Sequence, residues 1–374
     1  MLSSVIPQFN LAPAENNVRH PRAIILVNGM NVIWQTIELT TTTFYMSDHF
    51  HIELPQSGQP PLFTLNYLMV TAPIEVKIYI GFPNNPSAYT QNDLELLFQG
   101  NIDKLDIDPL RRTITMSGRD LTSKFIDTKT YEKLPNQTSS SIVSSLATQQ
   151  GLTPVVTETK TLAGTFFAYE NTLLTKETTQ WDLMCFLAQQ EGFVIYVMGN
   201  NLIFKPRPTT SQTPYILRYT APGIGGGSPQ FNGMDLHLSR SLTLAQDVQV
   251  KVRVPFSPAT GKAFTVLATA SHKNAATVGF QTYTYTYAGL SKQQALAKAQ
   301  QIASDITLHE ILLKAELPGD NLLRKDSLIQ LVGLDPSVNQ LYYADNVIRR
   351  LSLSEGYHMS IQAKNHSPDS QVSI

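Results

Sequence analysis

The chain has 374 residues, with 28 Lys and Arg against 29 Asp and Glu and a formal net charge of −1, so no basic excess supports nucleic-acid binding. Its single cysteine, Cys185, excludes an intrachain disulfide and any multi-cysteine metal site. Hydrophobic residues make up 42% and charged residues only 15%, against about 25% charged in an average soluble protein; a chain long enough for two to four domains and poor in charges that resist burial is expected to oligomerise.

Residues 1–20 read as an N-terminal extension. They lack a basic start, and Pro7 and Pro13 interrupt them, which argues against a signal peptide. No apolar run approaches the ~20 residues of a membrane-spanning helix, so no membrane anchor is expected. A β-rich domain is expected over 21–136. In it Asn28-Gly29 marks a hairpin turn at 24–34, and the threonine-rich stretch 37–45 follows. Ile74, Val76, Ile78 and Ile80 alternate with Glu75, Lys77 and Tyr79 as in a half-buried strand, and 94–107 with 113–117 predict a hairpin around Asp108-Pro109.

A small α+β domain is expected over 137–208. Polar residues from Asn136 open a helix striped by Ile142, Val143, Leu146 and Ala147 and closed by Gly151. Thr179 and Asp182 have capping-box spacing, Trp181, Met184, Cys185 and Ala188 form a second stripe, and Gly192 supplies a stop. Residues 193–198 and 202–205 read as a hairpin about Gly199-Asn200-Asn201. After the proline-bearing linker at 206–213, a second β-rich domain is expected over 209–374. It includes the alternating Val248, Val250, Val252 and Val254, the Tyr283, Tyr285 and Tyr287 strand, and strands at 327–332, 342–353 and 357–363. A long helix is predicted at 291–313, opened by Ser291 and Gln294 and striped by Ala295, Ala299, Ile302, Ala303 and Ile306. The fold class is α+β and β-dominated, the short strands in close succession suggesting a barrel or a sandwich.

The two β-rich regions end alike. Residues 98–102 resemble 343–347, and 114–120 resemble 359–365, both at an offset of 245 positions. If the repeat is genuine, both regions share one topology, and three chains present six similar domains.

Motifs for catalysis are few. Gly225-Gly226-Gly227-Ser228 lacks the lysine of a P-loop, and His309-Glu310 lacks the second histidine of a zinc-protease helix, with Leu313 in its place. His49 and His51 share one side of a strand without further ligands. Asp103, Asp106 and Asp108 read as a solvated face or an ion-pair surface, and Cys185 as a small core residue. A glycosidase pair of carboxylates needs no fixed spacing, so a hydrolase stays open as an alternative, as does a module that binds a host receptor or carbohydrate. No catalytic, cofactor-binding or metal-binding residue is assigned, and no cofactor is expected.

Several segments resemble one family. They are Leu97-Phe98-Gln99-Gly100-Asn101-Ile102 running into Ser117-Gly118-Arg119-Asp120-Leu121; Thr179-Gln180-Trp181-Asp182-Leu183 with Glu191-Gly192-Phe193; Gly199-Asn200-Asn201-Leu202-Ile203-Phe204; and Tyr343-Ala344-Asp345 with Glu355-Gly356-Tyr357 and Lys364-Asn365. In this order they resemble the baseplate hub proteins of contractile-tailed bacteriophages, the late-control-D-like and Mu-like group. The resemblance implies a non-enzymatic homotrimer whose tube-like barrels form a pseudo-hexameric ring. That ring joins the six-fold tail tube to a three-fold central spike, with baseplate wedge and tape-measure proteins as further partners and DNA only in transit. It implies a place in the virion tail baseplate, assembled in the host cytoplasm. The hub of a tail-like bacteriocin or other contractile injection system fits equally, and a tail-associated peptidoglycan hydrolase is the enzymatic alternative. No attached lysozyme or needle domain is expected, in contrast to hub–spike fusions.

Overall fold

The computed structural model describes residues 20–42, 44–130, 137–160, 179–206, 213–223, 227–240, 248–255, 261–271, 281–287, 290–307, 311–365 and 371–373. The first hairpin is β1 (Arg22–Val27) and β2 (Met30–Val32). Asn28 and Gly29 turn it with φ of 44° and 80°, the left-handed pair that a two-residue hairpin turn requires. Then come β3 (Thr36–Thr41), β4 (His49–Pro55), α1 (Leu65–Val70), β5 (Glu75–Gly81), β6 (Glu95–Asp108) and β7 (Thr113–Asp120). Alternation sends Ile37, Leu39, Phe50, Ile52, Val76, Ile78, Ile114 and Met116 into one core.

The middle of the chain packs α2 (Ser123–Ile126), α3 (Ser139–Gln149) and α4 (Gln180–Glu191) against β8 (Thr153–Val156), β9 (Phe193–Met198) and β10 (Asn201–Pro206). These strands pair in the order β8-β10-β9. The predicted caps are in place. Thr138 accepts from the Ser141 amide, Thr179 and Asp182 form the reciprocal box, and Gly192 leaves α4 at φ 71°. Phe125, Ile142, Leu146, Trp181, Met184 and Phe204 fill the core.

The last part contains β11 (Tyr215–Thr220), β12 (Gln230–Phe231), β13 (Asp235–Arg240), β14 (Val248–Val254), β15 (Phe264–Ser271), β16 (Gln281–Thr286), α5 (Lys292–Thr307), β17 (Ile311–Pro318), β18 (Leu328–Val332), β19 (Leu341–Ser352), β20 (Gly356–Asn365) and β21 (Gln371–Ser373). Two expectations change here. The valine and tyrosine strands do not join the second β-rich run. They form a separate sheet, β16-β14-β15-β21, inserted between β13 and β17. Ala295, Ala299 and Ala303 of α5 bury against its four valines. The helix expected over 291–313 ends at Thr307, and Ile311, Leu312 and Leu313 open β17. The reason is periodicity: Ile311, Leu313, Ala315 and Leu317 are buried with Leu312, Lys314 and Glu316 between them, a period of two that suits a strand.

What remains is one strand order used twice. The first seven strands lie side by side as β3-β4-β7-β6-β5-β1-β2, and the second seven as β13-β17-β20-β19-β18-β11-β12. Ranked by chain position the two orders are identical. They differ in one direction: β1 runs antiparallel to β5, whereas β11 runs parallel to β18. Among the described residues no pairing closes either run on itself; both belong to one 14-stranded sheet.

The ladders also correct the sequence repeat. β7 matches β20 at the expected offset, Arg119 to Lys364 and Asp120 to Asn365, with one burial alternation over both. The long strands match three positions away from the expected alignment. Asp108 faces Thr113 while Arg350 faces His358, so Asp108 corresponds to Arg350, and residues 98–102 do not correspond to 343–347. The second hairpin is longer at its turn by those three residues. Each long strand carries a β-bulge at the same place, between Ile102 and Lys104 and between Ala344 and Asn346.

Candidate subunit interface and interdomain charge centre

The two seven-strand units meet along β3 and β19, antiparallel from Val347↔Thr41 to Ser352↔Thr36. On this joint the Arg350 Nε approaches Glu38 Oε2 at 2.7 Å. β19 uses one edge twice. Residues 341–343 pair with β18 of its own unit and 347–352 with β3 of the other, while the opposite edge pairs with β20. Around the joint Asn321 donates to the Ile80 carbonyl at 2.8 Å, Arg324 pairs with Glu95, and the Phe82 and Tyr357 rings lie 6.0 Å apart. Leu351 and Tyr357 enter the first unit's core.

β6 is built like β19. Residues 95–101 pair with β5, and beyond Ile102 the same edge has no strand partner among the described residues. Along this segment Lys104 and Asp106 are exposed and Leu105 and Ile107 half-buried, whereas at the matching places on β19 Asn346 and Ile348 are half-buried and Val347 and Arg349 buried. β13, the counterpart of β3, shows the same difference. Ile37 and Leu39 of β3 are buried, while Leu236 and Leu238 of β13 are half-buried.

A second feature lies where all three parts of the chain touch. Lys325, from the β17–β18 connection, places Nζ 2.7 Å from Asp48 Oδ1, with side chains only 6% and 15% exposed. It is a charge contact whose angles fall short of a good hydrogen bond. Asp120, at the end of β7, is buried beside them. Burial first, and the neighbouring Asp48 charge second, push its carboxyl up to about 7, against the pull of Lys325 and the Thr122 side chain. Lys325 also sits 5.6 Å from the Tyr196 ring of β9. Next to it Asp326 accepts from Lys205 Nζ at 2.6 Å and from Tyr196 Oη at 3.4 Å. Burial and the Asp326 charge hold the Tyr196 phenol above its ordinary range. The segment before Asp48 is tied to the α+β unit as well: Trp181 Nε1 donates to the Tyr45 carbonyl at 2.9 Å, and Tyr45 Oη donates to the Phe193 carbonyl at 2.5 Å. Such a centre fixes orientation between parts. Asp120 has too little surface for a substrate to reach.

The candidates from sequence fall as follows. His49 and His51 are exposed on β4, and among the described residues no three His, Cys, Asp or Glu gather as a metal site. Asp103, Asp106 and Asp108 pair with Arg119, Lys104 and Arg111 at 2.7, 3.5 and 3.4 Å. Cys185 packs half-buried against the α+β core, and burial raises its thiol to about 12, far from a nucleophile's range. Residues 224–226 of the glycine run and His309-Glu310 lie outside the described residues. An open cleft between β1, β2 and the β19–β20 turn is lined by Arg22, Trp34, Tyr89 and Leu353, with no carboxylate among its lining residues. The Asp48–Asp120–Lys325 centre was not found from sequence, because its members lie in two separate connections and at the end of a strand, and no spacing links them.

No protein-family model matches the chain, and no curated protein matches it in sequence. Solved structures do match in shape. A tail protein from Neisseria meningitidis MC58 superposes with a TM-score of 0.65 at 14% identity, covering 94% of this chain and 99% of that one. The 43 kDa tail protein of prophage MuSo2 from Shewanella oneidensis superposes equally well, at 14% identity, covering 95% of this chain and 100% of that one. The fold is that of phage tail proteins. It extends to the E. coli c3393 protein, a component of the type VI secretion system described as similar to the T4 tail proteins gp27 and gp5. That match has a TM-score of 0.53 at 9% identity and covers 94% of this chain and 79% of the other.

Proposed function

We propose that this chain is the baseplate hub of a contractile tail: a non-enzymatic homotrimer whose two barrel-like units per chain form a ring of approximate six-fold symmetry around a DNA channel. The observation that carries this reading is the strand order repeated within one chain and joined edge to edge by β3 and β19. A chain that holds two copies of one unit supplies six copies from three chains. It therefore presents a six-fold face to a tail tube and a three-fold face to a central spike. Wedge and tape-measure proteins complete its surroundings in the virion baseplate, and the same part serves in a tail-like injection particle. A near-neutral chain does not hold DNA during transit. The test is electron microscopy of the purified protein. A ring with a central channel and six similar lobes is expected; compact particles without a channel refute the reading.

A further inference from the structure

We propose that residues 105–108 of β6 and the strand β13 are the two halves of one intermolecular joint, in which the outer edge of β6 takes the outer edge of β13 from a second copy of this chain. The inference rests on the ring reading for its closure but not for its register, which comes from the internal repeat.

The ladders give the equivalences. Thr40 faces His49, which faces Arg119; Ser239 faces Leu312, which faces Lys364. Because Arg119 corresponds to Lys364, Thr40 corresponds to Ser239, and β3 maps onto β13 end to end, Thr36–Thr41 onto Asp235–Arg240. On the other side Ile348 and Arg350 correspond to Asp106 and Asp108. The joint inside the chain pairs Ile348 with Thr40, Arg349 with Leu39 and Arg350 with Glu38. Carried onto the edges that have no strand partner among the described residues, it pairs Asp106 with Ser239, Ile107 with Leu238 and Asp108 with His237.

Three features fit. Both edges belong to strands whose counterparts are paired, and an open edge is a template for strand addition. Their apolar side chains, Leu105, Ile107, Leu236 and Leu238, are half-buried where Val347, Ile37 and Leu39 are buried, as a missing neighbour would leave them. Finally, the acid changes sides. In the internal joint the acid is on the β3 side (Glu38) and the base on the β19 side (Arg350). In the proposed joint the acid, Asp108, is on the β6 side and His237 is on the β13 side. The wrong combinations set Asp108 against Glu38, or His237 against Arg350. This change of sides thus favours β6 with β13 over pairings that would leave the ring out of order. Head-to-tail use of two different edges is the heterologous contact from which rings close.

The test is cysteine pairing in a Cys185→Ser background. Asp106→Cys with Ser239→Cys, both exposed and outside any cap, places two thiols across the proposed ladder. On mild oxidation the double variant is expected to give covalent dimers and trimers on non-reducing gels, while neither single variant does. Unchanged circular dichroism certifies the fold. In a second arm His237→Asp lowers the fraction of oligomer at a given concentration, and Asp108→Lys added to it restores that fraction. A trimer without the 106–239 cross-link overturns this joint and leaves the ring reading standing. Cross-linked chains that run past three subunits uphold the joint and overturn the closure. Monomers without cross-link overturn both.

Discussion

Asp103 and Asp345 stand at the same bulge in the two units, and each is ion-paired at 2.7 Å to the residue at the same place on the next strand, Arg119 and Lys364. A bulge leaves one residue outside the ladder and increases local twist; here that residue is held by a charge from the neighbouring strand. Arg119 grips Asp103 through Nε and Nη2, at 2.7 and 2.9 Å, and reaches Asp127 at 3.0 Å. Replacing Arg119 with Lys breaks the two-point grip. With both partners partly exposed, a loss of about 0.5–1 kcal/mol is expected in urea denaturation. A variant as stable as the parent would mean that the bulge needs no such clamp.

Close strand approach beside that bulge depends on glycine. A Cβ on Gly118 would lie 1.9 Å from the Asn101 carbonyl oxygen, and the strand has no room to move between β4 and β6. Gly118→Ala is expected to cost about 1–3 kcal/mol by overpacking, read as a lower midpoint in thermal or urea unfolding. An unchanged midpoint would refute the packing argument.

The charge centre predicts a pH dependence. Asp120 is held up to about 7 in the folded chain, against about 3.9 unfolded. Its proton is therefore kept on folding, and the stability it contributes is full below about pH 4 and is lost as pH rises through about 7. Asp120→Asn, the side chain that the second unit already carries as Asn365, removes that titration. Stability measured from pH 4 to 8 should decline less in the variant than in the parent. Parallel curves would contradict the raised carboxyl.

Trp181 is 5% exposed and joins the α+β core to Tyr45. Trp181→Ala is expected to cost about 3–5 kcal/mol, detectable by differential scanning calorimetry. A loss under 1 kcal/mol would show the two parts to be independent.

Much of this was legible from local chemistry. The Asn28-Gly29 turn, the Thr179–Asp182 box, the Gly192 stop and the alanine stripe of α5 each depend on residues a few positions apart, and each formed as expected. The repeat was visible because β7 and β20 keep the same alternation. Its alignment on the long strands was misplaced, since turn length is set by residues 109–112 and 351–357, which carry no common pattern. The inserted sheet was unreadable because a valine strand alternates alike in either sheet. The Lys325 centre and the β3–β19 joint depend on contacts between residues hundreds of positions apart, which neither period nor spacing encodes.

The central claim is that duplicated units assemble into a closed ring of three chains, and the mass of the purified protein tests it most directly. Mass photometry across a concentration series should show a species three times the 41.5 kDa chain mass, persisting on dilution. A single 41.5 kDa species at every concentration would contradict the claim.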